Sequence, residues 1–237
     1  MVDKVSVAVG TGVGIALGVG LALLANKAYT PTVKVPVGGV VKKNFPTWVS
    51  GRTVEQCMAD EMRNAVLRGK DDQVVRALAI SIIKDHNLDG RQFYEVASAI
   101  QYWVMTHVTY VPDTVGTEIF QEGHYTISNG AGDCDDQAIL TASLLMSVGI
   151  PCRLLLMSQD YGGNLDAAHF THVLSAAIIN GQEIPLETII PYALPEYLHP
   201  CTAVWRIEIN NAPVGLNVEV NPPTSEGLPV PGEADAP

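Results

Sequence analysis

Basic residues are scarce in this sequence. Lys and Arg number 14 against 25 Asp and Glu, which leaves a net charge of −11 and a pI near 4.8. A nucleic-acid partner needs basic patches to neutralise its phosphates, so that class is excluded. The acidity itself serves solubility. Cysteine is also sparse, with only Cys57, Cys134, Cys152 and Cys201. Their spacing offers neither paired zinc-ligand clusters nor a disulfide framework. Cys57 and Cys152 sit in apolar patterns and read as packed thiols. A zinc site of Asp166, His169 and His172 lacks a second ligand cluster. The acids at 133, 135 and 136 lack the alternation and the following Gly of a calcium loop. Gly10-Thr11-Gly12-Val13-Gly14-Ile15 lacks the last glycine of a dinucleotide fingerprint, follows no strand and has no acid about 20 residues further on. Neither a metal nor a cofactor is expected. There is no internal repeat.

Charge is absent from Val5 to Ala25. About 20 apolar residues cross a bilayer core as a helix, so residues 1–28 are expected to hold a transmembrane anchor at 5–25. A cleaved signal peptide and a segment buried in an assembly are the alternatives. Gly10, Gly14 and Gly18 recur every four residues and offer a small-residue face for a neighbouring helix of the same or another chain. Lys27, Lys34, Lys42 and Lys43 follow the run, and only Lys4 precedes it. The positive-inside rule then makes this a single-pass membrane protein with its domain in the cytoplasm. Residues 29–50 read as an extended linker. Residues 212–237 are rich in Pro and acids, contain no Lys or Arg, and read as a disordered tail.

Between these flanks, residues 51–211 form one domain of ordinary size. Thr53 can cap a helix running to Arg68, and Gly69 ends it. Asp71 or Asp72 opens a second helix to Asp85. Asn87 to Gly90 is a turn. Arg91 to Val108 forms an amphipathic helix with Phe93, Val96, Ala97, Ile100, Val104 and His107 on one side. Thr109 to Gly132 reads as a loop. Gly132-Asp133-Cys134-Asp135-Asp136 then opens a helix apolar on two sides, hence buried, which closes at Gly149-Ile150-Pro151. Asp133 suits the N-cap, and Asp136 stands where a capping box places its acid. Cys134 falls on the first turn, where the helix dipole favours a thiolate and the neighbouring carboxylates oppose it.

A partner for Cys134 lies downstream. His172 opens an apolar strand, Asn180-Gly181 is a strong hairpin signal, and the return strand ends at Glu187, 15 residues beyond His172. A Cys, a His and a carboxylate in that order supply nucleophile, base and orienter. His86, His124 and His199 read as exposed, and His107 as a satisfied helix histidine. Asp135 and Asp136 read as holders of neighbouring loops.

The pattern resembles the transglutaminase-like cysteine hydrolases of the papain-like superfamily. The likeness runs over residues 91–190. It includes Tyr102-Trp103-Val104, Tyr110-Val111-Pro112-Asp113, the Cys134 motif with its helix ending Gly149-Ile150-Pro151-Cys152-Arg153, the His172 strand, and Pro185-Leu186-Glu187-Thr188. Where the family usually has Asp, this chain has Glu187, one methylene longer. The resemblance implies an α+β fold: a papain-like core with a helix bundle packed on a small antiparallel sheet. It implies a Cys134–His172–Glu187 triad that attacks peptide or protein amides through a thioester. Gln121 and Asn129 are the side chains considered for a second oxyanion donor. The other reading is a non-catalytic structural or interaction module on the same fold, within a membrane or a viral particle.

Overall fold

Aspartate caps and apolar stripes account for the helical layer. Helix α1 (Val54–Gly69) buries Ala59, Met62, Ala65 and Val66 along one stripe. Asp72 caps α2 (Gln73–Asp85) by accepting from Val74 N at 2.7 Å and Val75 N at 3.2 Å. Helix α3 (Phe93–His107) buries Val96, Ala97, Ile100 and Val104, as its periodicity requires. Its ends behave differently from expectation. Phe93 is 37% exposed and His107 is exposed, because the helix packs only through its middle turns. The computed structural model describes residues 40–43, 54–113, 118–158, 170–190, 195–196, 198, 201, 203–210 and 218–220. All of them lie in one of the chain's two units, Val35–Pro237. The expected span at 5–25, Thr53, Asp166, His169 and His199 lie outside the described residues. Among the described residues, no helix is long and apolar enough to cross a membrane.

The stretch from Thr109 to Gly132 is not a plain loop. It contains β2 (Thr109–Tyr110), β3 (Glu118–Gln121), α4 (Gly123–Asn129) and β4 (Ala131–Gly132). Strand β3 pairs antiparallel with β1 (Val40–Lys43), and β2 pairs parallel with β4. Strand β1 comes from the stretch expected to be linker. These pieces are two to seven residues long, too short to show a period, and distant partners stabilise them.

Helix α5 (Cys134–Ser147) is the centre of the fold. Among the described elements, it packs against the four other helices and against strands β5 (Cys152–Ser158) and β6 (His172–Ile179). Ile139, Leu140, Leu144 and Leu145 are fully buried. Each such side chain contributes roughly 1.5–3 kcal/mol by leaving water. Gly149 follows the helix with φ +85°.

The main sheet has five strands in the order β7-β6-β5-β8-β9, every neighbour antiparallel. Strand β7 (Gln182–Leu186) returns from β6 through Asn180 (φ +53°) and Gly181 (φ +80°), the two left-handed residues of a tight hairpin turn. Strands β8 (Ala203–Glu208) and β9 (Val218–Val220) complete the other side. Strand β9 falls in the stretch expected to be a disordered tail. Its Val-Glu-Val sequence has the β-branched alternation that an edge strand tolerates. In β7, Pro185 lies opposite Ala176, and its carbonyl accepts from Glu196 N at 2.9 Å. The fold is thus mixed helix and sheet, with an antiparallel main sheet.

Candidate active site

Cys134 owes its position to the cap of α5. The Asp133 carboxylate accepts from Asp135 N at 3.2 Å and Asp136 N at 3.4 Å, both on Oδ1. Asp136, expected to reach back as a capping-box acid, turns elsewhere. Its Oδ1 accepts from Gln121 N at 2.7 Å and its Oδ2 from the Gln121 amide. Burial pushes the Asp136 carboxyl up to about 7, Asp133 adds to the rise, and the Gln121 bonds hold it back. Asp136 therefore fixes the end of β3 against α5, the loop-holding role foreseen for it. A Cβ on Gly132 would meet Asp136 Cβ at 2.5 Å, so only glycine admits that close approach.

The hairpin register explains where His172 and Glu187 meet. Ser175 pairs with Leu186, so the next step along the chain sets Glu187 opposite Leu174. His172 lies two residues from Leu174 and shares its face of the sheet. The imidazole Nε2 and Glu187 Oε2 are 2.8 Å apart, with Glu187 fully buried and His172 6% exposed. The other carboxylate oxygen accepts from Ile189 N at 2.8 Å. The main-chain oxygen of Glu187 accepts from Gln101 Nε2 at 2.7 Å.

Cys134 and His172 line one cleft of about 350 Å³, together with Asp113, Asp133, Asp135 and Val173. The thiol donates to Asp135 Oδ1 at 3.3 Å. Burial raises the thiol pKa well above the ordinary range, and the charges of Asp135 and Asp133 raise it further. The backbone N–H of Val173 donates to the sulfur and opposes that shift. Burial raises Asp133 as well, followed by the charge of Asp113, against the two helix amides. The pKa of Tyr110, 47% exposed, is raised by partial burial and then by the charges of Cys134, Asp133 and Asp135.

Other candidates fall elsewhere. Gln121 Nε2 is held by Asp136 and Ala131 O, and Asn129 Nδ2 donates to Gln121 Oε1 at 2.7 Å. Neither lines the Cys134 cleft, so neither supplies the second oxyanion donor. His124, expected at the surface, is buried with Nδ1 3.1 Å from Asp72 Oδ2. His107 stacks on Trp103 with ring centroids 4.5 Å apart, and its Nδ1 lies 2.9 Å from Trp103 O. Cys152 is buried, with its sulfur 3.7 Å from Ala142 O. Among the described residues, Asp133, Cys134 and Asp135 place ligand atoms within 4.8 Å of one another and are the ones that could hold a cation. Sequence reasoning missed Gln101, Asp113 and the Val173 amide. Gln101 did leave a sign: it is a polar residue on the apolar side of α3.

Residues 81–182 match the family model described as the transglutaminase-like superfamily. A solved structure described as "a Putative Cysteine Protease from Cytophaga hutchinsonii" is 20% identical, with 52% of this chain and 42% of that chain covered and a TM-score of 0.36. A second, described as "a putative protease from Parabacteroides distasonis ATCC 8503", is 16% identical, with 64% and 31% covered and a TM-score of 0.43. The chain thus spans less than half the length of both. No curated protein matches it.

Proposed function

We propose, on the premise that residues 81–182 carry a transglutaminase-like core, that this protein is a thiol-dependent hydrolase of peptide or protein amides. The observation that carries the reading is the 2.8 Å pairing of His172 Nε2 with Glu187 Oε2, on the residue that lines the cleft with Cys134. Glu187 orients the imidazole, so Nδ1 is the nitrogen that takes the thiol proton. The resulting thiolate forms a C–S bond to the amide carbonyl carbon, and the carbonyl electron pair moves onto oxygen. The N–H of Cys134, at the start of α5, donates to that oxygen. Collapse restores the carbonyl, breaks the C–N bond and releases the amine with the proton from His172. Water then gives a proton to His172 and its oxygen attacks the thioester carbon. The acid leaves, and the proton returns to sulfur. Tethering through residues 5–25, with the domain in the cytoplasm, belongs to the same proposal and rests on the uncharged run.

A specific observation favours a second reading, a non-catalytic module. The thiol donates to Asp135 at 3.3 Å, and burial, then the charges of Asp135 and Asp133, raise its pKa. The rate of iodoacetamide alkylation against pH, mapped to Cys134 by mass spectrometry, separates the two. A hydrolase thiol reacts faster in the native protein than in His172→Ala. A thiol that titrates near or above about 8.5 in both leaves the non-catalytic module.

A further inference from the structure

Among the described residues, the cleft around Cys134 is lined by four carboxylate side chains, Glu55, Asp113, Asp133 and Asp135, and by no Lys or Arg. Basic groups of the same domain are committed elsewhere. Arg63 pairs with Asp60 at 3.1 Å, and Arg68 with Glu122 at 2.6 Å. Arg153 and Arg206 both pair with Glu183, at 3.1 and 3.0 Å. Asp133 is 8% exposed, yet both helix amides it accepts land on Oδ1. Its Oδ2 is therefore the oxygen that can meet a ligand in the cleft. A buried carboxylate beside others of like charge is costly until a cation joins it.

Resting on the thiol-hydrolase reading, we propose that the substrate carries an ammonium or guanidinium group close to the scissile amide, and that this group docks between Asp133 and Asp113 beside Cys134. A neutral or acidic substrate leaves these carboxylates with backbone amides as partners, Ile119 N on Asp113 and the helix amides on Asp133, and with no cation to balance their charge. A cationic one pairs them, and its aliphatic stem fits along Met62, Leu156 and Phe170, which also line the cleft. The docked charge has a second effect. It offsets the Asp133 and Asp135 charges that disfavour the thiolate, so binding the right substrate also prepares the nucleophile. Lys or Arg side chains and a free amino terminus share this chemistry.

The test uses the full chain and matched dipeptidyl acyloxymethyl ketones. In these the Cys134 sulfur forms a C–S bond to the methylene carbon and the carboxylate leaves. Four probes suffice: Lys, norleucine and Glu next to the ketone with a blocked amino terminus, and norleucine with a free one. The expected order of labelling rates is Lys above norleucine by about tenfold, with Glu slowest, and the gap narrows with added salt. A faster rate for the free amino terminus also supports the proposal and assigns the cation to that source. In Asp113→Asn and Asp133→Asn the Lys preference falls toward parity; Asn retains the capping and acceptor oxygens, so folding is kept. Equal labelling of Cys134 by the Lys probe and by both norleucine probes, blocked and free, overturns the cationic substrate and leaves the hydrolase reading standing. If no probe labels Cys134, and iodoacetamide labels it no faster than in His172→Ala, the hydrolase reading fails and the proposal fails with it.

Discussion

Gln101 and Glu187 stand 86 residues apart in sequence and meet at 2.7 Å, side-chain amide to main-chain carbonyl, in the interior. Gln101 is 1% exposed and Glu187 fully buried. Helix α3 thereby holds the strand end that presents the Glu187 carboxylate to His172. Gln101→Leu leaves that carbonyl without this donor, at a cost of about 1–3 kcal/mol. We expect a lower unfolding midpoint in urea, and slower Cys134 alkylation out of proportion to the small loss of folded protein. A variant that loses stability but alkylates at the native rate rules out the positioning role.

Asp135 lies 3.3 Å from the Cys134 sulfur and raises its pKa by charge and by hydrogen bond. Asp135→Asn removes the negative charge at nearly constant shape, so the thiolate forms at lower pH. The alkylation profile should shift to lower pH, with a higher rate at pH 7. An unmoved profile means that Asp135 has no part in setting the thiol.

Asp136 supplies a pH signature of stability. Its carboxyl is raised from the ordinary 3.8 to about 7 in the folded state. The folded protein therefore holds a proton that the unfolded chain releases between those values. Its contribution is fully present below the unfolded value and is lost as pH rises through about 7. Native protein should lose on the order of 1–4 kcal/mol more than Asp136→Asn between pH 4 and pH 8. Parallel urea-midpoint curves for the two proteins would refute this.

Gly132→Ala adds a methyl that meets Asp136 Cβ at 2.5 Å and Oδ2 at 2.7 Å. Overpacking of this kind costs about 1–3 kcal/mol, and relief requires Asp136 to leave Gln121. Thermal unfolding should fall by several degrees in this domain. An unchanged midpoint would show that the β4–α5 junction yields freely.

The uncharged run at 5–25 is tested by partitioning. The full chain should enter the detergent phase, and a chain lacking residues 1–28 should stay in the aqueous phase. Aqueous partitioning of the full chain, with no assembly by light scattering, removes the anchor.

Much of the architecture was legible because its signals are local. Helix α5 announces both ends, through Asp133 and Gly149, and its apolar residues on two sides declare burial. Asn180-Gly181 announces the hairpin, and its register carries Glu187 toward His172. What escaped is held by distant partners. The pieces between Thr109 and Gly132 form because β1 and Asp136 reach them from elsewhere in the chain. His124 is buried because Asp72, 52 residues earlier, supplies its partner. The Val173 amide cannot be read from any side chain.

Pro185 carries a consequence for behaviour at high concentration. Strand β7 is the outer strand on the side of the sheet that holds His172 and Glu187. At its Pro185 position the edge has no N–H to offer, and the carbonyl there is already taken by Glu196 N. A second chain seeking to zip onto this edge finds neither a donor nor a vacant acceptor at that point. The β7 edge is thus guarded at Pro185 against strand-by-strand growth into aggregates.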